Sequence, residues 1–326
     1  MPRWVHTTLE TIGWLALAPM LALCVTLWFG IEGRRTIAAL QALTPWVLIW
    51  AAPLALAASL GRRHVLALVA LLPLITLLAL SFPIVFHSAP AAAAPDSPTL
   101  TVAYSNVLYS NPTPELVAAE LLATGADVLV LVEFVNPVQR ALDEAAGDDY
   151  PHRADSVSSK SSAIGLWSRH PIVSGGVVDV GGRPTVDVVL DVDGHQIRVL
   201  GVHPHPPTFD APQWSQQIDA IGDRAALGNK PTVIIGDFNA SRWHPTFREL
   251  LGRGWRDTHE LLGHGWSVSW PMDEGWLPPP FVRIDHALFG DGVTPMAVRD
   301  LDVTNSDHKG FVVDFGLTEL QPAVRG

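Results

Sequence analysis

Long apolar runs dominate the first 86 residues, whereas the rest of the chain alternates short apolar runs with polar breaks. The long runs cover about residues 11–30, 36–60 and 65–86, and the breaks between them hold charged residues. About 20 helical residues, at a rise of about 1.5 Å each, span a hydrocarbon core of about 30 Å. Each run is long enough to cross a bilayer, so the pattern predicts three transmembrane helices.

The first apolar run has a second interpretation as a cleaved signal peptide. We prefer a membrane anchor because the run is long and two similar runs follow it. Orientation depends on Arg3, Arg62 and Arg63 on one side against Arg34 and Arg35 on the other. Cytoplasmic loops carry an excess of Lys and Arg, so this distribution favours a cytoplasmic N-terminus. We expect a multi-pass plasma-membrane protein whose large domain lies outside the cytoplasm.

The pattern of apolar and polar residues changes after the third apolar run. Residues 87–98 (HSAPAAAAPDSP) have the Ala and Pro content of a semi-extended linker. Residues 99–318, with β-branched runs separated by Gly, Pro and Asp, predict an α/β domain, and residues 319–326 form a tail. Predicted strands cover residues 100–105, 127–132, 163–167, 186–192, 196–202, 232–235, 284–289 and 310–315. Predicted helices cover residues 114–124, 137–146, 212–227 and 244–251.

Composition divides the chain in the same way. A mean hydropathy of +0.25 with 16% charged residues is too apolar for a typical soluble protein. Residues 1–98 hold five of the 21 basic and three of the 32 acidic residues, which leaves a net charge of −13 for residues 99–326. Such acidity argues against a domain that grips a long nucleic acid, although it does not exclude nuclease chemistry. The single cysteine, Cys24, lies in an apolar run, so the folded domain has no thiolate metal site.

Polar residues stand at the ends of successive predicted strands and in two late motifs. Because strand ends hold side chains on a rigid frame that is open to a ligand, we expect one shared cleft. Its mostly oxygen ligands suit Mg²⁺ or Mn²⁺ better than zinc or copper. Such an ion acts as Lewis acid and template for attack on phosphorus. The candidate residues are Asn106, Glu133, His203, Asp237, Asn239, Asp285, Asp307 and His308.

Each of these residues also has a purely structural interpretation. Asn and Asp are common turn formers, which is sufficient to explain Asn106, Asp237 and Asn239 taken singly. A lone Glu after an apolar strand, such as Glu133, is usually the first solvated residue. Asp307 and His308 together fit a surface loop. The presence of all these motifs in one chain favours the functional interpretation.

These motifs, in this order, resemble the endonuclease/exonuclease/phosphatase superfamily over about residues 99–317, as a membrane-anchored, bacterial-type member. The resemblance implies the fold of pancreatic deoxyribonuclease, an α/β sandwich of two mixed sheets flanked by helices (αββα). It also implies hydrolysis of a phosphoester by a divalent-metal enzyme. The motifs are VAYSN ending in Asn106, ADVLVLVE ending in Glu133, GLWSRHPI at 165–172, VLGVH ending in His203, GDFN at 236–239, RIDH with Asp285, and SDH with Asp307 and His308.

The resemblance assigns a metal-binding role to three of the residues. Glu133 is implied to be the principal ligand of Mg²⁺ or Mn²⁺. Asn106 helps, and Asp307 binds directly or through water.

Five further residues are implied to be catalytic. Asp237 orients or deprotonates the attacking water, while Asn239 and His203 hold the phosphate and stabilise its developing charge. His308 lies against the scissile phosphate, and Asp285 fixes its tautomer and supports its positive form. The implied reaction is in-line attack by water without a phosphoenzyme.

The histidines leave one choice open. His203 directly follows a strand, where the family places its phosphate-binding histidine, whereas His205 lies between prolines. We prefer His203. The remaining histidines of the domain are interpreted as structural: His152, His170, His195, His244, His259, His264 and His286.

Tryptophan is abundant after the GDFN motif, and core packing is the default interpretation. A functional alternative is that residues 266–281, rich in Trp and Pro, form a lip facing the substrate or the membrane interface, where Trp is favoured.

Three functions from different classes remain open. The preferred one is a membrane-anchored, Mg²⁺-dependent phosphoesterase that hydrolyses a phosphoester or pyrophosphate, with a lipid or prenyl phosphate favoured by the tether and the acidic domain. A membrane-tethered endonuclease or exonuclease on DNA or RNA would need a basic track, and the arginines of the domain are scattered. A non-enzymatic membrane module would have lost motif residues, and none is missing. No obligate protein partner is indicated.

Overall fold

The N-terminal apolar region is a bundle of helices joined by short breaks. The computed structural model describes residues 3–87, 97–157, 161–272 and 281–318. Most of the predicted linker, the predicted tail and the centre of the Trp-rich segment, with Trp276, fall outside the described residues. The helices of the bundle are α1 (Arg3–Trp28), α2 (Arg35–Ala42), α3 (Thr44–Leu48), α4 (Ala51–Leu60), α5 (His64–Val69) and α6 (Leu71–Val85).

Two of the three predicted membrane helices are confirmed as helical spans of sufficient length and apolarity, Thr7–Trp28 and His64–Val85. The middle run is not one straight helix: Arg35–Ala42 and Thr44–Leu60 form a pair bent by 72°. Pro45 and Pro53 lie in this run and lack the N–H that a continuous helix needs. The middle run was thus predicted as one transmembrane helix kinked by its prolines, and the structure has a bent pair of helices in its place.

Two apolar clusters hold the bundle together, and each contains residues of all three apolar runs. Leu17, Ala58 and Leu66 belong to the cluster remote from the folded domain. Leu23, Leu48, Leu77 and Leu80 belong to the other, which also includes Trp243 of the folded domain. The three runs therefore pack side by side over two successive layers.

The folded domain contains two six-stranded sheets, which confirms the predicted α/β sandwich of two mixed sheets. One sheet has the order β11-β12-β1-β2-β4-β3 and the other β5-β6-β7-β8-β10-β9. The strands are β1 (Thr99–Asn106), β2 (Val128–Val132), β3 (His152–Ser156), β4 (Ile164–Ser168), β5 (Ile172–Val180), β6 (Arg183–Val192), β7 (His195–Val202), β8 (Thr232–Asp237), β9 (Arg256–Asp257), β10 (Asp285–Phe289), β11 (Val293–Asp302) and β12 (Lys309–Leu317).

Helices cover the outer faces of the sandwich. They are α7 (Pro114–Leu122), α8 (Asn136–Ala146), α9 (Ala211–Ala225), α10 (Pro245–Gly252) and α11 (Thr258–Leu261). The central core lies between the sheets and is rich in β-branched residues such as Val130, Val199 and Ile235. Separate clusters fill the space beneath α7 and α8 and beneath α9 and α10. Burial of both faces explains why the central strands are continuously apolar.

Strand direction brings the functional motifs to one rim. β1 runs parallel to β2, and β7 runs parallel to β8, so each pair ends on the same side of its sheet. β10 is antiparallel to β8, and Asp285 at its start pairs with Asp237 at the end of β8. On its other side β8 approaches β7 closely at Gly236, because a Cβ there would lie 2.0 Å from the carbonyl oxygen of Val202.

The folded domain docks directly on the helical bundle. The backbone N–H of Thr246 donates to Oε2 of buried Glu32 at 2.9 Å. In the opposite direction, Nη2 of Arg248 donates to the carbonyl oxygen of Leu27 at 2.7 Å. This carbonyl lies in the last turn of α1, where a cation is favoured by the helix dipole.

A second pair of contacts holds the bent segment. Nε2 of buried His244 donates to the carbonyl oxygen of Ala38 in α2 at 2.9 Å. Nε1 of Trp46 in α3 donates to the carbonyl oxygen of Phe281 at 2.9 Å. The bundle and the folded domain are therefore connected by contacts within the described residues, in addition to the chain that joins them.

Candidate active site

A buried carboxylate–imidazole pair forms the floor of the rim. Nδ1 of His308 lies 2.9 Å from Oδ2 of Asp285, and the hydroxyl of Tyr104 donates to Oδ1 of Asp285 at 2.8 Å. Burial opposes the charge on His308, but the negative charges of Asp285 and Asp237 raise its pKa to about 10. Burial likewise opposes charge on Asp285, but His308 lowers its pKa below the usual value. The pair therefore favours a charged imidazolium whose Nδ1–H is held by Asp285.

Asp237 occupies the centre of the rim. Its Oδ1 accepts from the backbone N–H of Asn239 at 2.7 Å, and its Oδ2 accepts from Nδ2 of Asn106 at 3.3 Å. Oδ2 also lies 3.8 Å from Nε2 of His308 and 3.7 Å from Nε2 of His203. Burial and the nearby charge of Asp285 raise the pKa of Asp237, so this carboxyl is poised to accept a proton.

Glu133 follows β2 in the left-handed backbone region, with φ of 58°. That conformation is uncommon for a residue other than Gly and turns the side chain into the rim. Its Oε1 lies 3.6 Å from Nε2 of His203. Burial raises the pKa of Glu133, while a hydrogen bond from Asn106 and the charge of His308 oppose that rise.

The structure places His203, not His205, among the other motif residues. His203 is 4% exposed, and its ring lies between Glu133 and Asp237 at the distances given above. Burial and the charge of Arg183 lower its pKa well below the usual value, so the ring is neutral. His205 is half-buried and stacks on Phe209 with ring centroids 5.5 Å apart.

Asp307 is the most open of the carboxylates. Its side chain is 23% exposed, and its Oδ1 lies 3.9 Å from Nε2 of His308. Nε1 of Trp270 donates to its Oδ2 at 3.4 Å. Asn239, at the opposite side of Asp237, has φ of 49° and donates from Nδ2 to the carbonyl oxygen of Pro204 at 3.1 Å. All eight predicted residues thus converge on one rim.

The ligand chemistry of the rim fits a hard divalent cation. Four carboxylates, with the amide oxygens of two Asn residues, face a small number of positive groups. Burial raises the pKa of Glu133 and of Asp237 because their negative charges are incompletely balanced by the protein. A divalent ion bound here would supply the missing counter-charge. Oxygen ligands of this type are those that Mg²⁺ and Mn²⁺ prefer.

Geometry also identifies a metal-capable group that differs from the ligand set implied by the family resemblance. Ligand atoms of Asp237, Asp285 and His308 all lie within 4.8 Å of one another. His308 and Asp285 already satisfy each other through a hydrogen bond, whereas Asp237, within the described part of the chain, accepts hydrogen bonds only from the neutral groups of Asn239 and Asn106. The assignment to Asn106, Glu133 and Asp307 stays a prediction.

Sequence reasoning gave no role to Tyr104 and Arg183 of the rim, and it included Trp270 only in the alternative that residues 266–281 form a lip. Tyr104 lies in the VAYSN motif and points the same way as Asn106, since side chains two apart share a strand face. Arg183, one of the scattered arginines, donates from Nε to the carbonyl oxygen of His203 at 2.9 Å and from Nη2 to that of Ser161 at 3.3 Å. Trp270 contacts Asp307. Strand periodicity was a usable signal for Tyr104, whereas the other two contacts depend on loops.

Among the buried histidines outside the rim, His286 and His244 are both hydrogen-bonded to backbone carbonyl groups. Nδ1 of His286 lies 2.6 Å from Oδ2 of Asp257, and its Nε2 donates to the carbonyl oxygen of Ala240 at 2.9 Å. His244 joins α2 to the folded domain, as described above. These bonds fit the structural roles expected for both residues.

Curated relatives match the folded part of the chain. A UPF0294 protein of Yersinia pseudotuberculosis (strain IP 31758) is 24% identical over 200 residues, which cover 57% of this chain and 68% of the relative. A UPF0294 protein of Photorhabdus laumondii is 28% identical over 138 residues, covering 40% of this chain and 46% of the relative.

Solved structures share the sandwich. An endonuclease/exonuclease/phosphatase from Beutenbergia cavernae DSM 12333 has a TM-score of 0.55 at 21% identity, covering 68% of this chain and 72% of that one. D. rerio TDP2 complexed with single-strand DNA product has a TM-score of 0.59 at 16% identity, covering 67% of this chain and 99% of that one. At these identities the likeness shows the fold alone.

The Endonuclease/Exonuclease/phosphatase family matches residues 103–308, which is more than half of the chain. This match begins in β1 just before Asn106 and ends on His308, so it encloses the whole rim. Members of the family are hydrolases that act on phosphoester bonds with a divalent metal. The chain therefore belongs to the endonuclease/exonuclease/phosphatase family.

Proposed function

We propose that this protein is a membrane-anchored, Mg²⁺- or Mn²⁺-dependent phosphoesterase that hydrolyses a lipid or prenyl phosphate at the bilayer surface by attack of water. The observation that carries the proposal is the position of Asp237. This buried carboxylate lies within 4 Å of His203 and His308 and is paired with Asp285 across two strands. A base, two imidazoles and an acidic ligand set thus converge within one catalytic rim.

The metal would be held by Glu133 as the principal ligand, with Asn106 and Asp307 beside it. When bound, the ion supplies Lewis-acid charge at a phosphate oxygen.

The remaining residues position and activate the reacting groups. Asp237 orients the attacking water and takes its proton, because its raised pKa suits a general base. His308, kept positive by Asp285, stabilises negative charge that develops on the phosphate oxygens. Neutral His203 and the amide of Asn239 donate hydrogen bonds to the same oxygens. Water forms the new P–O bond as the ester or pyrophosphate oxygen leaves.

Docking on the helical bundle supports a substrate at the membrane. The contact between Trp46 and Phe281 joins the third helix to a segment of the catalytic rim. Phosphate groups of lipids or prenyl carriers are the phosphoesters that are concentrated at the membrane surface. The acidic charge of the domain lowers its affinity for the long polyanionic backbone of a nucleic acid.

A membrane-tethered nuclease is the second candidate, because D. rerio TDP2 shares the fold and its structure is complexed with single-strand DNA product. Nuclease activity would require positive side chains around the rim. Arg183 and Arg283 each donate to the carbonyl oxygen of a rim residue, and both arginines are buried. This placement favours the lipid phosphate.

Three crossings by the bundle are part of the proposal, with the bent pair α2 to α4 as the middle crossing. Both apolar clusters contain residues of all three runs, which supports three side-by-side traverses. With the N-terminus in the cytoplasm, the catalytic rim then lies outside it. This orientation is tested by fusing to the C-terminus a reporter that functions only in the cytoplasm. Activity of that reporter would contradict the orientation.

The function is tested on the full chain in detergent or nanodiscs, with Mg²⁺, against phospholipids, prenyl pyrophosphates, inositol phosphates and nucleic acids. We expect turnover of a lipid-linked phosphate that is lost in Glu133→Ala and His308→Ala. Activity that survives both substitutions places the site elsewhere. Rapid cleavage of plasmid DNA that does not weaken with salt favours the nuclease instead.

A further inference from the structure

An apolar groove of about 430 Å³ leads from the catalytic rim to the helical bundle. This volume falls in the range of about 300–1,000 Å³ typical of small-molecule sites. One end is formed by Asn239 and His308, and the other by residues of α2 and the residue that follows it. Between these ends the walls are mostly apolar, and they include Pro207 and Trp270. We refer to it below as the apolar groove.

The catalytic end of the groove shares two side chains with the proposed reaction. Asn239 and His308 both line the groove, and both are assigned to the phosphate oxygens. A molecule whose phosphate lies against these residues therefore has its remaining part directed along an apolar surface.

The helical end is built from small residues. Ala39 and Ala42 of α2 are half-buried and line the groove together with Leu43. Their methyl side chains leave the space that larger residues at these positions would fill. The hydrogen bond from His244 to the carbonyl oxygen of Ala38 holds this face of α2 against the folded domain. Burial lowers the pKa of His244 to about 4, so at neutral pH its Nδ1 is unprotonated and accepts from the backbone N–H of Ser241 at 2.8 Å.

We propose that the apolar groove binds a hydrocarbon chain of the substrate, so that the membrane bundle forms one wall of the substrate site. The inference rests on the proposed function and extends it by naming the part of the substrate that the bundle recognises. Continuity supports this occupant: the groove joins groups that bind phosphate to a helix of the apolar bundle. The described lining residues include no Lys or Arg, as a groove for a nucleic acid backbone would require.

Burial of hydrocarbon gives the expected size of the effect. Each methylene removed from water contributes about 0.8 kcal/mol, which corresponds to about fourfold in kcat/KM. We therefore expect kcat/KM to rise by about fourfold for each methylene added to the substrate, until the groove is filled. The gain comes from binding shared by ground and transition states, so it lies mainly in KM.

The test uses the full chain in detergent with a series of p-nitrophenyl alkyl phosphodiesters that differ only in chain length. Release of p-nitrophenolate reports hydrolysis without a coupled enzyme. The double substitution Ala39→Leu with Ala42→Leu fills the groove and keeps helix propensity, since Leu is nearly as favourable as Ala in a helix. Leu40→Trp adds bulk to the same helix at an exposed position outside the groove and is the matched control.

For the wild type we expect kcat/KM to increase with chain length. In the double variant, the ratio of long-chain to short-chain kcat/KM falls by about 15-fold, the effect of losing roughly two buried methylenes, and Leu40→Trp keeps the wild-type ratio. Persistent turnover of the short ester shows that the variant is folded.

Two other outcomes are distinguishable. Hydrolysis with no dependence on chain length, or a double variant that retains the wild-type ratio, overturns the groove assignment while the phosphoesterase function stands. No Mg²⁺-dependent hydrolysis of any ester in this series or in the lipid panel overturns the proposed function itself.

Discussion

Asp237 and Asp285 are directly paired residues on adjacent antiparallel strands, and both side chains are buried. Two carboxylates so close would repel each other, but each has a different partner. Asp285 is neutralised by His308, whereas Asp237 is bonded to the neutral groups of Asn106 and Asn239. The charge of His308 therefore lowers the pKa of Asp285, whereas burial and the charge of Asp285 raise the pKa of Asp237, which separates an orienting group from a base.

The Asp285–His308 pair gives the first prediction. Asp285→Asn removes the charge that keeps His308 positive and permits the wrong tautomer. We expect kcat to fall by about 10²- to 10⁴-fold, with a smaller change in KM. Steady-state kinetics with the preferred phosphoester measure both. Tyr104→Phe, which removes only the second bond to Asp285, is the control and should lose much less; equal losses in both variants count against the assignment.

The choice between the two histidines gives the second prediction. His203→Ala removes the ring that lies between Glu133 and Asp237, and we expect activity to fall by at least about 10²-fold. His205→Ala removes a half-buried ring that stacks on Phe209, and most activity should remain. Parallel assays of the two variants decide the matter. A reversed pattern assigns phosphate binding to His205.

Metal affinity distinguishes the two ligand sets. Glu133→Gln should weaken Mn²⁺ binding by more than about 100-fold, beyond the roughly 10- to 100-fold that loss of an outer partner costs. Asp285→Asn, in the alternative group, should weaken it by about tenfold or less. Calorimetric titration of the chelator-treated full chain gives both constants. If Asp285→Asn has the larger effect, the ion lies within the group of Asp237, Asp285 and His308.

Added metal should also stabilise the protein. An ion that binds only the folded state at 100 times its dissociation constant contributes about 2.7 kcal/mol to the free energy of unfolding. We expect the Tm of the wild type to rise with Mg²⁺, and that of Glu133→Gln to rise much less. A thermal unfolding series in detergent provides the measurement. Equal shifts in the two proteins indicate that the ion binds elsewhere.

Glu32 makes docking depend on pH. Burial raises its pKa to about 7 from 4.5, despite the hydrogen bond from Thr246. Because the folded state binds the proton more tightly, its contribution is greatest below pH 4.5 and is lost as pH rises to about 7. Among the described residues, Oε1 of Glu32 has no hydrogen-bond partner, as a protonated carboxyl at this position would explain.

Glu32→Gln tests this dependence, since the amide keeps an acceptor for Thr246 without the charge. We expect the variant to gain on the order of 2–3 kcal/mol over wild type as pH rises from about 4.5 to 7. Protection of the docked interface from proteolysis at each pH is the readout. Glu10→Gln, at an exposed position of α1, is the matched control. A difference that is independent of pH rejects a buried titrating carboxyl.

The central strands were predictable from sequence because their burial on both faces makes them continuously apolar. β2 and β8, for example, begin or end within two residues of their predicted bounds. The missed long strands lie at or near sheet edges, where this signal is weak. β5 contains two Gly residues and a register shift, and β11 has a bulge between Pro295 and Ala297. Pro and Gly at such positions resemble turns in a sequence.

The site was predictable to the extent that its residues follow strands in the order of known motifs. All eight side chains lie at one rim, although their individual roles stay predictions. The contacts of Arg183 with His203 and of Trp270 with Asp307 join distant loops, so no local pattern indicates them. The docking bonds are less predictable still, because Thr246 and Arg248 meet backbone and side-chain groups more than 200 positions away in the chain.

The loop after β8 carries a residue of the catalytic rim and also bonds to a residue that docks on the helical bundle. Asn239, at the rim, is separated by one residue from Ser241, whose backbone N–H donates to Nδ1 of the docking residue His244. A shift of α2 is therefore transmitted to the rim over a few bonds. The bundle then helps to hold the catalytic residues in position. The folded domain without the bundle should therefore be a slower enzyme, even towards water-soluble esters.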